Sequence, residues 1–187
     1  MRKLVVSEFV TLDGVMEDPG GSEGLDRGGW AFQFERGDEG DRFKLDELMD
    51  ADVLLLGRKT YEGFAAAWPD RSDEVGFAEK MNTMRKVVVS KTLEEASWAN
   101  TTVVGGDLAE DIGRLKQEDG GDILVAGSRQ LAQALLELDL IDELRLMVFP
   151  VVLGAGKRLF DDTGASKPFR VVETKQSAEV ALLRLEV

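Results

Sequence analysis

Four short apolar runs, each closed by a small residue, limit most strongly what this 187-residue chain can fold into. ADVLLL (51–56) stops at Gly57, KVVV (86–89) at Ser90, TTVV (101–104) at Gly105-Gly106 and DILVA (122–126) at Gly127. Helical stripes separate them. Leu108, Ile112 and Leu115 share one face of Leu108–Gln117, and Leu131, Ala134, Leu135 and Leu138 share one face of Gln130–Leu138. Lys59–Trp68, Glu74–Met84 and Asp41–Met49 also read as helices. Strands this apolar leave no face for water, so they belong inside a mainly parallel sheet flanked by helices on both faces. Lys3–Val10 adds a first strand and Glu143–Val152 a long β-type run. Phe169–Glu173 and Val180–Val187, around a KQSAE turn, predict an antiparallel hairpin at the sheet edge. The fold class is α/β, and the length suits a single domain over residues 1–187.

The stretch Glu17–Gly29, EDPGGSEGLDRGG, holds five of the 20 glycines and is too polar to pack as a regular element. Its length predicts a binding loop or a disordered one.

Composition then narrows the chemistry. Without cysteine there is no disulfide, thiolate zinc site or cysteine nucleophile. Without histidine there is no Ser-His-Asp triad and no imidazole base or ligand. No metal site is expected. Lys and Arg number 23 against 36 Asp and Glu, a net charge of −13 that repels phosphate backbones, so nucleic acid is not an expected partner. No apolar run approaches the ~20 residues that cross a bilayer. The opening MRKLVVSEFV meets Glu8 too early for a signal peptide. No membrane association and a cytoplasmic location are the expectations.

In open α/β sheets, ligands bind beyond the carboxyl ends of the strands. There this sequence places Gly57-Arg58-Lys59-Thr60, Ser90-Lys91-Thr92 and Gly127-Ser128-Arg129-Gln130. Glycine lets backbone approach a ligand, and a helix starting there aims free N–H groups at an anion. One such turn reads equally well as a strand terminator beside a solvated basic residue. Three on successive buried strands point to a site for a pyrophosphate and a further phosphate. Two common phosphate motifs are absent. Gly156-Lys157 lacks both the first P-loop glycine and the Ser/Thr, and no G-x-G-x-x-G is present.

These residues carry a resemblance. LLLGRKTYEGF (54–64) resembles the GR-x-T-[YW]-E segment of dihydrofolate reductases, and ILVAGSRQLAQALLELDLIDELRL (123–146) resembles the later strand–glycine–helix segment of that fold. VSEFVTLDGVME (6–17) and FPVVLGAGKRLF (149–160) are closer to the RibD C-terminal-domain-like branch of the superfamily. The resemblance implies a dihydrofolate reductase-like fold and an NADPH-dependent reductase acting on a small-molecule substrate. Carried over residue by residue, it implies that Gly57, Arg58, Lys59 and Thr60 contact phosphates, with Arg58 near the 2′-phosphate. Ser90 and Lys91 would flank the adenine ribose, and Gly127, Ser128, Arg129 and Gln130 would cradle the pyrophosphate. Leu12, Asp13 and Gly14 would lie beside the nicotinamide. Dihydrofolate reductases carry one acidic residue on the helix before GR-x-T. Here that helix offers Asp41, Asp46, Glu47 and Asp50, with Asp41 at about the right distance but in a different context, so folate is not the expected substrate. Proteins of the family are often homodimers, and the long 143–152 strand is expected to contribute to such an interface.

Hydride transfer asks the protein for position, electrostatic match and a proton source. Asp13 is the first candidate acid, although Asp-Gly after a strand is also a common turn pair. Asp41 is the second, although the same position suits a helix N-cap. Tyr61 is a candidate donor in the substrate pocket, against packing as its alternative. Trp30 follows the glycine loop and is expected to close over a flat substrate, with Phe149 and Pro150 forming the pocket wall. Three functions remain open: an NADPH-dependent reductase of a small carbonyl, imine or pteridine/pyrimidine-like compound, an NADP-binding regulatory module without turnover, and an interaction subunit whose glycines serve only turns.

Overall fold

A computed structural model describes residues 1–160 and 166–187. In chain order its strands are β1 (Leu4–Thr11), β2 (Ala51–Gly57), β3 (Arg85–Val89), β4 (Thr101–Val104), β5 (Asp122–Ala126), β6 (Glu143–Phe149), β7 (Arg170–Ser177) and β8 (Val180–Glu186). The helices are α1 (Gly37–Asp50), α2 (Arg58–Ala67), α3 (Phe77–Thr83), α4 (Leu108–Gln117) and α5 (Arg129–Glu137), with a 3-10 turn at Trp30–Gln33. All eight strands join one sheet in the order β4-β3-β2-β5-β1-β6-β8-β7. Pairing is parallel from β4 through β6. It is antiparallel from β6 to β8 and from β8 to β7. The expected fold class is the observed one.

Strand alternation assigns each side chain to a layer. Leu4, Val6, Val53 and Leu55 face α4 and α5, packing with Ile112, Leu115, Leu131 and Leu135. Val5, Leu54 and Leu56 face the other helices, packing with Leu48, Tyr61 and Met81. A third apolar cluster joins Val15, Trp30, Phe149 and Leu153 above the carboxyl end of β1.

Several expected boundaries move, among them the start of α1, which lies at Gly37 rather than Asp41. The final hairpin turns on Ala178-Glu179 alone, and the expected turn residues Lys175, Gln176 and Ser177 extend β7. The helix expected from Glu74 begins at Phe77. The Asp73 carboxylate accepts the N–H groups of Val75, Phe77 and Ala78, and Gly76 takes φ 82° before the first turn. The strand expected to reach Val152 ends at Phe149, because Pro150 has no amide to donate. β6 also lies between β1 and β8, so both its edges are already paired. The free edges belong to β4 and β7.

The Glu17–Gly29 stretch folds around Asp18, which is 1% exposed. Its carboxylate accepts the N–H groups of Glu23 at 2.9 Å and Leu25 at 3.0 Å, and its carbonyl accepts that of Gly29 at 2.9 Å. Glycine is required at position 28, where a Cβ would lie 2.2 Å from Asp18 Oδ2. Among the described residues no helix is long and apolar enough to cross a membrane.

Candidate functional site

The chain reverses its direction of travel across the sheet between β1 and β5. From β1 it moves by way of α1 to β2, on one side; from β5 it moves by way of α5 to β6, on the other. The helices at this switch point pack on opposite faces of the sheet, and the carboxyl ends of strands at such a point are where open α/β sheets bind ligands. Register shows which strand edge is left unpaired there. β1 pairs with β5 only as far as Ser7↔Ala126, but with β6 as far as Thr11↔Phe149. Residues 8–11 of β1 therefore present an edge that β5 does not cover.

On the β5 side, hydrogen bonds draw two helix starts together. Gly57 N–H donates to Ser128 Oγ at 2.9 Å, and Ser128 N–H donates to Thr60 Oγ1 at 2.9 Å. Gly127 and Ser128 both take left-handed φ, 61° and 59°. A Cβ on Gly127 would meet Thr60 Cγ2 at 3.0 Å. Neither α2 nor α5 has a side-chain N-cap. The first-turn amides of both helices thus start side by side with no side-chain acceptor, an arrangement that suits an anion with more than one phosphate. Arg58 and Lys59 are exposed beside them, and Arg58 pairs with Glu62 at 3.0 Å. Arg129 Nε donates to the Arg158 carbonyl at 2.6 Å, and Gln130 is exposed on the first turn of α5. Further along the same rim, Ser90 Oγ accepts the N–H groups of Thr92 and Leu93, next to exposed Lys91. The structure therefore gathers the three expected strand ends along one rim. Such a set of backbone donors and cations fits the phosphates of a dinucleotide.

Asp13 lies at the exit of β1 with its carboxylate held by the chain. Its carboxylate accepts from Thr11 Oγ1 at 2.6 Å, Gly154 N at 2.8 Å and Leu153 N at 3.2 Å. The Thr11 hydroxyl first, and then the Gly154 and Leu153 amides, hold its pKa down at about 2. It is ionised at neutral pH and fastens the 151–154 segment to the β1 exit, the turn role given above as its alternative. Gly14 completes that turn with φ 79°, and Leu12 is exposed at its tip. Asp41, the second candidate, lies away from this turn. It points into solvent from α1 and pairs with Arg36 at 2.7 Å.

The expected pocket aromatics are largely core. Trp30 is 1% exposed, packs edge-on to Phe149 at 5.3 Å and donates its indole N–H to the Glu17 carbonyl. Phe149 is fully buried beneath Trp30 and Phe9, and only Pro150 reaches the surface. Tyr61 is buried in the second apolar cluster, and its hydroxyl accepts the Trp98 backbone N–H at 2.9 Å.

The sequence reading passed over the polar side chains of β1 itself. Ser7 Oγ lies 2.7 and 2.8 Å from the two Glu47 carboxylate oxygens and accepts from Lys44 Nζ at 2.8 Å. Lys44 pairs with Glu47 and lies 5.1 Å above the Phe9 ring. Glu8, on the opposite face of β1, is 4% exposed, and its Oε2 accepts the Gly127 N–H at 3.0 Å. Burial raises the Glu8 pKa well above 4.5, against the opposing effects of Lys44 and the Gly127 amide. The available signal was a glutamate in the middle of the apolar run 3–10, which reads as the first strand.

Comparison with known proteins identifies the family. The RibD C-terminal domain model matches residues 2–183. YwjB of Bacillus subtilis is 31% identical over 182 residues, covering 97% of this chain and 96% of that protein. YyaP of the same organism is 29% identical over 177 residues, covering 93% and 88%. Both carry the name of uncharacterized proteins. The fold matches a Shewanella sp. PV-4 protein named for riboflavin biosynthesis, with a TM-score of 0.77 at 24% identity, over 98% of each chain. It also matches RibD of Acinetobacter baumannii, with a TM-score of 0.66 at 20% identity, over all of this chain and 58% of that one. The chain belongs to the RibD C-terminal domain family, within the dihydrofolate reductase-like fold its sequence resembles.

Proposed function

We propose that this protein is an NADPH-dependent reductase of a small carbonyl, imine or pteridine/pyrimidine-like compound. The observation that carries the reading is the convergence of two helix starts without side-chain caps at the switch point, in a chain matched over residues 2–183 by a RibD C-terminal domain model. The backbone of Gly57, Thr60 and the first turn of α5 would hold the cofactor's phosphates, with Arg58, Lys59 and Lys91 supplying charge. The β1 edge that β5 leaves unpaired and the turn at Leu12–Gly14 would bound its nicotinamide end. NADPH, when bound, supplies a hydride. The protein's own contribution is alignment at the switch point and exclusion of water by the Trp30–Phe149 cluster behind it.

A second reading, an NADP-binding module without turnover, draws on one observation: both expected acids, Asp13 and Asp41, are engaged elsewhere. Tryptophan-fluorescence titration with NADPH tests what the two readings share. We expect saturation in the micromolar range, and Arg58→Ala should weaken NADPH more than NADH. Failure of both nucleotides to bind at millimolar concentration would sink both readings. Consumption of NADPH across pterins, quinones and aminopyrimidines then separates them, and complete inertness favours the binding module.

A further inference from the structure

β7 borders the sheet, and its outer edge pairs with no other strand among the described residues. Seven of its eight residues, Arg170–Gln176, are exposed, with Val171 at 58% and Val172 at 37%. A long edge strand that carries valines is a template for another strand unless something covers it. The opposite border, β4, has only four residues and is mostly half-buried, so β7 is the edge that can pair.

The ladder fixes which backbone groups face outward. Ser177 and Val180 flank a two-residue turn and form the hydrogen-bonded pair that closes the hairpin. Alternation makes Lys175↔Leu182 the next such pair, so the N–H and C=O groups of Thr174 and Gln176 point away from β8. A bulge between Val171 and Glu173 interrupts the ladder and confines the regular free edge to residues 172–176.

So short an edge has few ways to pair with its own copy about a two-fold axis. An axis through Glu173 sets two glutamates opposite each other, and one through Lys175 sets two lysines opposite each other, both unfavourable. An axis through Gln176 carries the pairing past the hairpin turn. An axis through Thr174 sets Glu173 of each copy opposite Lys175 of the other, twice, and brings the two threonines together, a pair that sheets favour. Within the chain Lys175 pairs with Glu39 of α1, and Glu173 lies 3.8 Å from Arg184, all four lining one groove beside α1. The Thr174 axis therefore extends a row of alternating charge from one copy into the next.

We propose that the β7 edge binds a second copy of this chain, as an antiparallel strand pair whose two-fold axis passes through Thr174. The self-complementary charge of Glu173 and Lys175 selects this partner, and the two eight-stranded sheets become one. The 143–152 run, expected to serve such an interface, gives way to β7 because both edges of β6 are occupied. The pairing is independent of the nucleotide reading.

Light scattering on the full chain at roughly tens of micromolar should give twice its 20.5 kDa mass. Glu173→Lys and Lys175→Glu each place like charges opposite one another at two symmetric positions, and each alone should raise the dissociation constant about tenfold or more. An equimolar mixture of the two variants should recover the parent's affinity to within about threefold, because each supplies the charge the other has lost. A role confined to one chain is not rescued by mixing. In the parent, hydrogen exchange at the Thr174 and Gln176 amides should slow as protein concentration rises, while that at Lys175, already bonded to β8, should stay constant. The exchange measurement needs no variant and carries the test if a charge reversal harms folding. A parent that stays monomeric up to about 1 mM overturns the proposal. So does a dimer indifferent to both reversals, or one whose Thr174 and Gln176 exchange ignores concentration. Mixing that fails to recover the dimer overturns the Thr174 axis.

Discussion

Ser128 and Gly57, 71 positions apart, hold the ends of β5 and β2 together: Gly57 N–H donates to Ser128 Oγ at 2.9 Å while Ser128 itself stands in a left-handed conformation. That hydroxyl satisfies the amide at the N-cap of α2, leaving the first-turn amides of the helix available. Ser128 thus trades backbone strain for the alignment of two helix starts.

Two substitutions at Ser128 separate these effects. Ser128→Ala keeps the strain and removes the acceptor, and should lower stability by about 1–2 kcal/mol in urea unfolding. Ser128→Gly also removes the acceptor but relieves the left-handed φ, so its loss should be smaller by roughly 1 kcal/mol. Both should weaken NADPH binding. An equal stability loss in the two variants would show that the left-handed backbone carries no strain.

Tyr61→Phe tests whether this tyrosine packs or reacts. Its hydroxyl accepts the buried Trp98 N–H, so the variant should lose about 1–2 kcal/mol of stability with NADPH affinity and turnover unchanged. A large fall in turnover with stability intact would return Tyr61 to the active site.

Gly28→Ala tests the glycine loop. The new methyl group would displace the Asp18 carboxylate that holds the Glu23 and Leu25 amides. The expected cost is roughly 1–3 kcal/mol, with faster hydrogen exchange at Glu23 and Leu25. Unchanged exchange at both amides would mean that Asp18 does not organise the loop.

Asp13 predicts an acid-sensitive limb. Its pKa is about 2 in the folded protein, against 3.8 for an ordinary aspartate. Between those values the unfolded chain binds more protons than the folded one, so stability rises with pH there and is lost as pH falls through about 2. Because the group is only partly shielded from solvent, the amplitude is small. Asp13→Asn should flatten this limb in pH-dependent thermal melts. A limb as steep as the parent's would assign the effect to another carboxylate.

The strand–helix alternation was legible because burial on both faces of a strand writes a continuous apolar run, and burial on one face of a helix writes a stripe. The phosphate rim was legible for a related reason: Gly57, Ser90 and Gly127 end such runs, and parallel strands bring their carboxyl ends to one side. The acids and aromatics were not. Asp13, Trp30 and Tyr61 have side chains whose surroundings depend on partners far away in sequence, such as Gly154 for Asp13, Phe149 for Trp30 and Trp98 for Tyr61.

By itself, then, the sequence determined the layered α/β class, the strand ends that form the rim and the exclusion of histidine and cysteine chemistry, because these follow from local periodicity and composition. Only the tertiary structure decided what surrounds each carboxyl group. The raised pKa of Glu8 comes first from burial, against Lys44 and the Gly127 amide 119 residues away. Charge in a protein interior is governed by neighbours in space, and no spacing along the chain encodes them.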